Sequence, residues 1–461
     1  MSVPAPKPEW SEPPDPPPTR LRACQALYPP GGIANRTRDR GPCLGAIGLS
    51  ASQDPPSNRW RSPDVWNISL SAFFADLGYQ AVLAIFPLYL VLQLGAPVWL
   101  YGVSQALAYG GGALFGYAGG RLAERYGRWP IAVVGNAFIP LMALAALSPV
   151  PAVAVALLVA GWWSRNLRTP PRRAMLTETV APHDRARAFG FLHALDVGGG
   201  MLAASYALLL VFGGVSYERI LLITIAPLVV STLVLLRVRA GRGTVKPGPT
   251  PPILPLQPET KGGGRKLERR LFKGILAATV LFGFASFSIG FPVLTTARAT
   301  ENASLGILIF LVALGVSSVV GLFVGRVSRR RVLLLALGGY LLASGGSALF
   351  VLAAARTADL AVFLLAAGTL GAALGVVETF EPALVADVSP MDRTARNMGS
   401  LTAYRSVGLF VSNLALGFLA LRNPWLPYTY AALAALVATL VLLVASGAGD
   451  PTPGPARSGR G

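Results

Sequence analysis

Asp76, Tyr79 and Gln80 stand at i, i+3 and i+4 inside an apolar run, so a helix places all three on one face. A charge near the centre of a bilayer costs at least about 2.5–3.5 kcal/mol on insertion scales, so Asp76 must face a polar cavity or a partner. A carboxylate held there could carry a proton in exchange for a solute, or form a structural ion pair with an arginine. Arg165, Arg168 and Arg172 follow one another at spacings of three and four, again one helical face. His193 and Asp196 are i and i+3, Glu378 and Glu381 are i and i+3 with Pro382 beside them, and Arg405 lies in a further apolar run. The chemistry these residues suit is recognition of a polar solute or movement of a proton. With two histidines, and with both cysteines (Cys24 and Cys43) outside the apolar runs, a soft-metal site is not expected. No cofactor is implied.

The elements that position these residues follow from composition. The chain has 461 residues, 53% of them hydrophobic and only 13% charged, with a mean hydropathy of +0.54. Soluble domains carry about 25% charged residues. Too little polar surface remains to cover a water-soluble globule of this size, so the lipid bilayer is the expected surroundings. A helix needs about 20 residues to cross a bilayer. Twelve such spans fit, near 67–92, 97–119, 130–148, 151–175, 189–212, 219–237, 272–296, 304–325, 332–354, 360–386, 399–421 and 426–446. The runs are continuous rather than alternating, which argues against membrane β-strands.

The remaining segments are polar. Residues 1–64 hold 14 of the 38 prolines and read as a disordered tail. Residues 65–237 form a first six-helix half, 238–270 a basic linker, 271–446 a second six-helix half and 447–461 a Gly/Pro tail. Turns after odd-numbered spans are nearly uncharged, whereas turns after even-numbered spans carry Arg121, Arg125 and Arg128, then Arg185 and Arg187, the linker, Arg326 and Arg329 to Arg331, and Arg393 and Arg396. The basic side is expected to face the cytoplasm, with both termini there. The net charge of +19 is therefore a topology signal rather than a nucleic-acid footprint.

The two halves repeat. Gly116-x-x-x-Gly120-Arg121 recurs as Gly321-x-x-x-Gly325-Arg326, and Pro182-x-Asp184-Arg185 recurs as Pro390-x-Asp392-Arg393. The repeat pairs Arg173 with Glu381 and Asp196 with Arg405, so the signs invert between halves. One reading is a cytoplasmic gate in which these charges, together with Arg172, Asp184, Arg185, Asp392 and Arg393, meet across the halves. The other is that each cluster is satisfied within its own half. The paired glycines predict a close helix approach at Gly116 and Gly120.

The stretch Gly120-Arg121-Leu122-Ala123-Glu124-Arg125-Tyr126-Gly127-Arg128 resembles the loop between spans 2 and 3 of the major facilitator superfamily. A second copy, Gly325 and Arg326 through Arg330 and Arg331, sits where that family carries its own. Arg168-Thr169-Pro170-Pro171-Arg172, Phe73 to Asp76 with Pro87, and Pro182 to Gly190 resemble a prokaryotic branch. The resemblance implies an all-α membrane protein of two pseudo-symmetric six-helix halves. It further implies a secondary transporter working by alternating access, with the loop motif steadying one facing state. Efflux of a small organic solute coupled to a proton or another ion is the leading expectation, by a monomer in the cell inner membrane. No proline closes Gly198-Gly199-Gly200, and Gln80 stands where relatives often have an acid. Both departures leave a facilitative uniporter or importer open. No Walker motif, His-Glu-x-x-His helix or nucleophile elbow is present, so an enzyme is not expected. A non-transporting receptor or assembly factor on the same scaffold is a third reading.

Overall fold

Ser62 opens the first helix. Its hydroxyl accepts the Val65 N–H at 3.4 Å, and Pro63, which has no N–H to satisfy, takes the first helical position. In the computed structural model the described residues are 62–180, 184–240, 242, 264–324, 327, 330–387 and 394–446. Gly325, Arg326, Asp392, Arg393 and the side chain of Arg185 lie outside them, as do the linker's centre and residues 1–61 and 447–461.

The described residues form twelve helical runs. The first half comprises α1 (Pro63–Leu88, with a π-helical end Tyr89–Gln93), α2 (Val98–Ala106, Leu107–Gly111 and Gly112–Tyr126), α3 (Arg128–Ala137, Leu141–Leu144 and Ala145–Leu147), α4 (Pro151–Thr179), α5 (Arg185–Phe212) and α6 (Tyr217–Ile223 and Ile225–Leu236). The second comprises α7 (Gly264–Ala285 and Gly290–Ala299), α8 (Ala303–Val324), α9 (Arg331–Leu334, Leu335–Leu341, Leu342–Leu352 and Ala353–Thr357), α10 (Leu360–Asp387), α11 (Thr394–Leu419) and α12 (Leu426–Ser446). Among the described residues nine helices are long and apolar enough to cross a membrane. Several spans overrun their expected ends, α4 and α7 among them. α4 continues past 175 to Thr179, and α7 begins at Gly264, inside the stretch read as linker. Arg265 to Arg270 are good helix formers apart from their charge, so the helix extends beyond its apolar part.

The repeat is visible in the packing. α1 packs on α5 and α6, and α2 and α3 pack on α4; six helices later α7 packs on α11 and α12, and α8 and α9 pack on α10. The halves meet through α2 against α11 and α5 against α8. Their cores merge at one end only. There Tyr89, Tyr101 and Val155 of the first half share a cluster with Phe291, Phe310 and Leu416 of the second. This is the end bearing the uncharged turns. Elsewhere each half has a core of its own, around Ile68, Met175 and Leu192 in the first and around Phe282, Tyr340 and Phe363 in the second.

The close approach in the first half differs from the expected one. Gly116 and Gly120 have only ordinary contacts, whereas a Cβ on Gly119 would lie 2.2 Å from the Leu167 carbonyl oxygen. The cause is Pro170-Pro171. Prolines at these positions leave the Asn166 and Leu167 carbonyls without their i+4 donors. α2 packs its small residues against those two oxygens, Gly116 near Asn166 and Gly119 tight on Leu167.

Candidate functional site

α1 brings Asp76 into the first half as expected, with Tyr79 and Gln80 on the same face. The Tyr79 hydroxyl donates to Asp76 Oδ1, and Gln80 Nε2 reaches the same oxygen at 3.5 Å. α4 supplies the counter-charge. Arg165 Nη2 donates to the Tyr79 hydroxyl at 3.2 Å, and its guanidinium lies 5.0 Å from the Tyr79 ring centroid and 4.9 Å from that of Trp162. Two turns on, Arg172 pairs with Asp196 of α5 at 3.6 Å. Buried between them is Arg168, 1% exposed, which has no carboxylate partner among the described residues. It donates instead to the Asn136 carbonyl of α3, whose amide donates in turn to Ser231 and Thr232 of α6 at 3.0 and 2.9 Å. Ser231 donates to the Ser71 carbonyl of α1, closing a polar network across four helices.

The second half holds a matching cluster with the signs exchanged. Glu381 of α10 is fully buried and accepts from the Tyr340 hydroxyl of α9 at 2.6 Å. Arg405 of α11 pairs with Glu378 at 2.7 Å and Glu381 at 3.8 Å. Thr279 of α7 lies 3.5 Å from the Tyr340 hydroxyl. Of the charges expected to meet across the halves, Arg172, Asp196, Glu381 and Arg405 are paired within their own halves in this structure. Arg405 holds the acids of its own half rather than Asp196, and Glu381 is enclosed by Tyr340 and Arg405 rather than by Arg173. Glu378 keeps 61% of its side chain exposed, and Arg173 is exposed on the opposite half.

Other expected residues are placed as follows. His193 is exposed and makes no hydrogen bond or ion pair with the described residues. Asp184 is buried and pairs with Arg187 at 3.5 Å. In the loop between α2 and α3, Arg128 pairs with Glu178 at the end of α4, Arg121 lies over Tyr117, Arg125 lies over Tyr126, and Glu124 is exposed. Arg330 takes a left-handed conformation (φ 54°) at the start of α9.

The sequence reading missed Tyr340, Thr279, Asn136 and Ser231. It also missed a contact at the merged end. α7 breaks at Ser286–Ile289, and the Ser288 N–H on the unwound turn donates to Asn413 Oδ1 of α11 at 3.0 Å. The Ser288 hydroxyl lies 2.9 Å from that of Tyr101 of α2, in the other half. The available signal was Pro292, four residues after Ser288, which suits a helix's first turn and not its interior.

The family model described as Major Facilitator Superfamily matches residues 68–413, three quarters of the chain. The chain belongs to the Major Facilitator Superfamily. Its resemblance through the α2–α3 loop is thereby confirmed. Among curated proteins the chain is similar to the multidrug resistance protein MdtH of Photorhabdus laumondii, 29% identical over 129 residues, 28% of this chain. The chain covers 32% of that relative's length. Solved structures of similar fold include a POT family transporter in complex with 5-aminolevulinic acid (TM-score 0.64, 14% identity, covering 83% of this chain and 96% of that one). The nucleoside transporter NupG (0.64, 12%, 83% and 99%) and the xylose transporter XylE from E. coli in an inward-open conformation (0.63, 14%, 85% and 98%) share it too. At these identities the likeness is one of fold: a multi-pass membrane transporter fold of the superfamily.

Proposed function

We propose that the chain is a secondary transporter that moves a small organic solute by alternating access, with coupling through Asp76 and Glu381. The observation carrying this reading is that the halves share a core at one end only, while each holds its own buried carboxylate, tyrosine and arginine. Rocking one half against the other would expose the space between the clusters to alternate sides. A carboxylate that exchanges an arginine or tyrosine partner for a proton or solute gives the two facing states different affinities, the requirement for coupled movement. The basic turns lie at the opposite end, where the cores stay separate, and support a cytoplasmic placement of that end and of both termini, so the present state opens inward. Similarity to a multidrug resistance protein supports efflux.

The test is flux in proteoliposomes with an imposed pH gradient, across a panel of solutes that includes ethidium. Gradient-dependent flux of at least one solute is expected, and Asp76→Asn should abolish the gradient dependence. Flux that persists unchanged in Asp76→Asn, with or without a gradient, would establish the facilitative reading instead. Gln80, a neutral residue donating to Asp76, is the observation that favours that second reading.

A further inference from the structure

At the end where the halves close, a cavity of about 420 Å³ opens among α2, α7, α9, α11 and α12. This volume lies within the range of small-molecule sites. Its walls are apolar, with Val98, Phe291, Leu294 and Pro427 prominent. Its polar groups are few. Thr295 and Tyr428 place their hydroxyl oxygens 2.7 Å apart, so one proton serves that bond and the other remains available to a guest. Arg298 lines the same cavity, is exposed, and makes no ion pair or hydrogen bond through its guanidinium with any described residue. It sits one residue before the end of α7, at the level of the turns, where a bilayer gives way to water.

We propose that this cavity binds an amphiphile with an anionic head. A carboxylate or phosphate would pair with the planar guanidinium of Arg298, which suits bidentate oxyanions. The apolar body would lie along Phe291 and Leu294. The position favours such a guest, because amphiphiles concentrate where acyl chains meet water and present their heads at that depth. The site is separate from the charge clusters on α4 and α10. It is also specific to one state. Val98 belongs to α2 of the first half, and the other walls belong to the second. Only closure at this end completes the cavity. An occupant therefore favours the closed end by its difference in affinity between the two states, so it regulates rather than being carried.

The test uses the full chain in phosphatidylcholine nanodiscs, with laurate as the probe and 1-dodecanol as its uncharged counterpart. Laurate should raise the apparent unfolding temperature saturably, and dodecanol should not. Arg298→Gln should weaken the apparent laurate affinity about three- to fivefold. Ala354→Leu, which fills the half-buried wall, should remove the laurate effect while leaving the unliganded unfolding temperature unchanged. Equal stabilisation by laurate and dodecanol, or an affinity within twofold of wild type in Arg298→Gln, overturns the assignment. Repeating the titration in phosphatidylglycerol discs separates two sources of the anionic head. Weakened laurate binding identifies a lipid headgroup as the resident guest, and unchanged binding identifies a free amphiphile; both retain the anionic-head chemistry.

Discussion

The two halves solve one problem with opposite signs. In the first, α4 carries the cations, and α1 and α5 carry the carboxylates that face them. In the second, the corresponding helix α10 carries the carboxylates, and α11 carries the cation. The pair Arg172–Asp196 and the pair Glu378–Arg405 occupy equivalent helix contacts, α4 with α5 and α10 with α11, with acid and base exchanged. A duplicated fold keeps its packing because helix contacts are set by backbone shape, but a charge is held in place only by its partner. Swapping both members of a pair leaves each half neutralised and gives the halves opposite surfaces. On α1, α4 and α5 six arginines stand against four carboxylates, and on α10 and α11 three carboxylates stand against two arginines. The surplus cation of one half confronts the surplus anion of the other. This is an asymmetry that identical halves could not have.

The hardest way to break the comparison is to remove the arginine that pairs both glutamates of the second half. Arg405→Leu leaves Glu378 and Glu381 without their shared partner, and Glu381 is fully buried. Losing one member of a buried pair costs about 3–5 kcal/mol. Thermal unfolding in detergent should show that loss, whereas Arg172→Leu should cost less, because Asp196 retains partial exposure. Equal losses would show that the halves do not differ in how deeply they bury their acids.

A second prediction concerns backbone rather than charge. Gly119→Leu should destabilise by about 2–3 kcal/mol, because a side chain there must displace the Leu167 carbonyl. Gly116→Ala should stay within about 0.5 kcal/mol. The reverse ranking would restore the spacing of Gly116 and Gly120 as the contact that matters.

A third prediction takes the two surfaces together. Glu378, exposed, replaces the buried Glu381 as the acid able to meet Arg173 when the basic end closes. Glu378→Arg and Arg173→Glu should each reduce flux, and the double exchange should recover part of it, with a coupling of about 0.5–3 kcal/mol. Losses that simply add in the double variant would mean that the charges never leave their own halves.

Much of this architecture was legible in the sequence, for physical reasons that also mark where the reading stopped. Spans such as α8 and α12 are unbroken apolar runs, because lipid demands it on every face. α4 is the opposite case. Arg165, Arg168, Arg172 and Arg173 lower its hydropathy so far that it is not among the nine helices apolar enough to cross by composition alone, although the repeat places it correctly. Asp76, Tyr79 and Gln80 could be grouped because one helix carries them. Tyr340 with Glu381, and Arg168 with Asn136, could not be, since their partners come from helices 41 and 32 residues apart and no local period relates them. Arg173 and Glu381 are likewise matched by the repeat, without its saying whether they touch once the basic end closes. The repeat offset matches positions between halves, and matched positions in a two-fold arrangement need not touch.

The smallest expected effect tests the end at which the halves agree. Tyr101, Ser288 and Asn413 are all buried, and the Tyr101 hydroxyl of the first half hydrogen-bonds Ser288 on the unwound turn of α7. Tyr101→Phe keeps the ring packed edge-on against Phe291 and removes one hydrogen bond, worth about 1 kcal/mol net. A two-state equilibrium between facing states should then move about fivefold toward the state open at this end. Labelling of a cysteine introduced at Ala420, half-buried at that end, reads the shift as a faster modification rate. Asn413→Leu is the control, because it removes the acceptor for the Ser288 N–H and leaves the Tyr101 contact in place. A labelling rate raised by the control and not by Tyr101→Phe would assign the closure to the helix turn itself, with the contact between halves incidental. If Tyr101→Phe alone raises it, the break in α7 is held shut from the other half, and closure at this end depends on both.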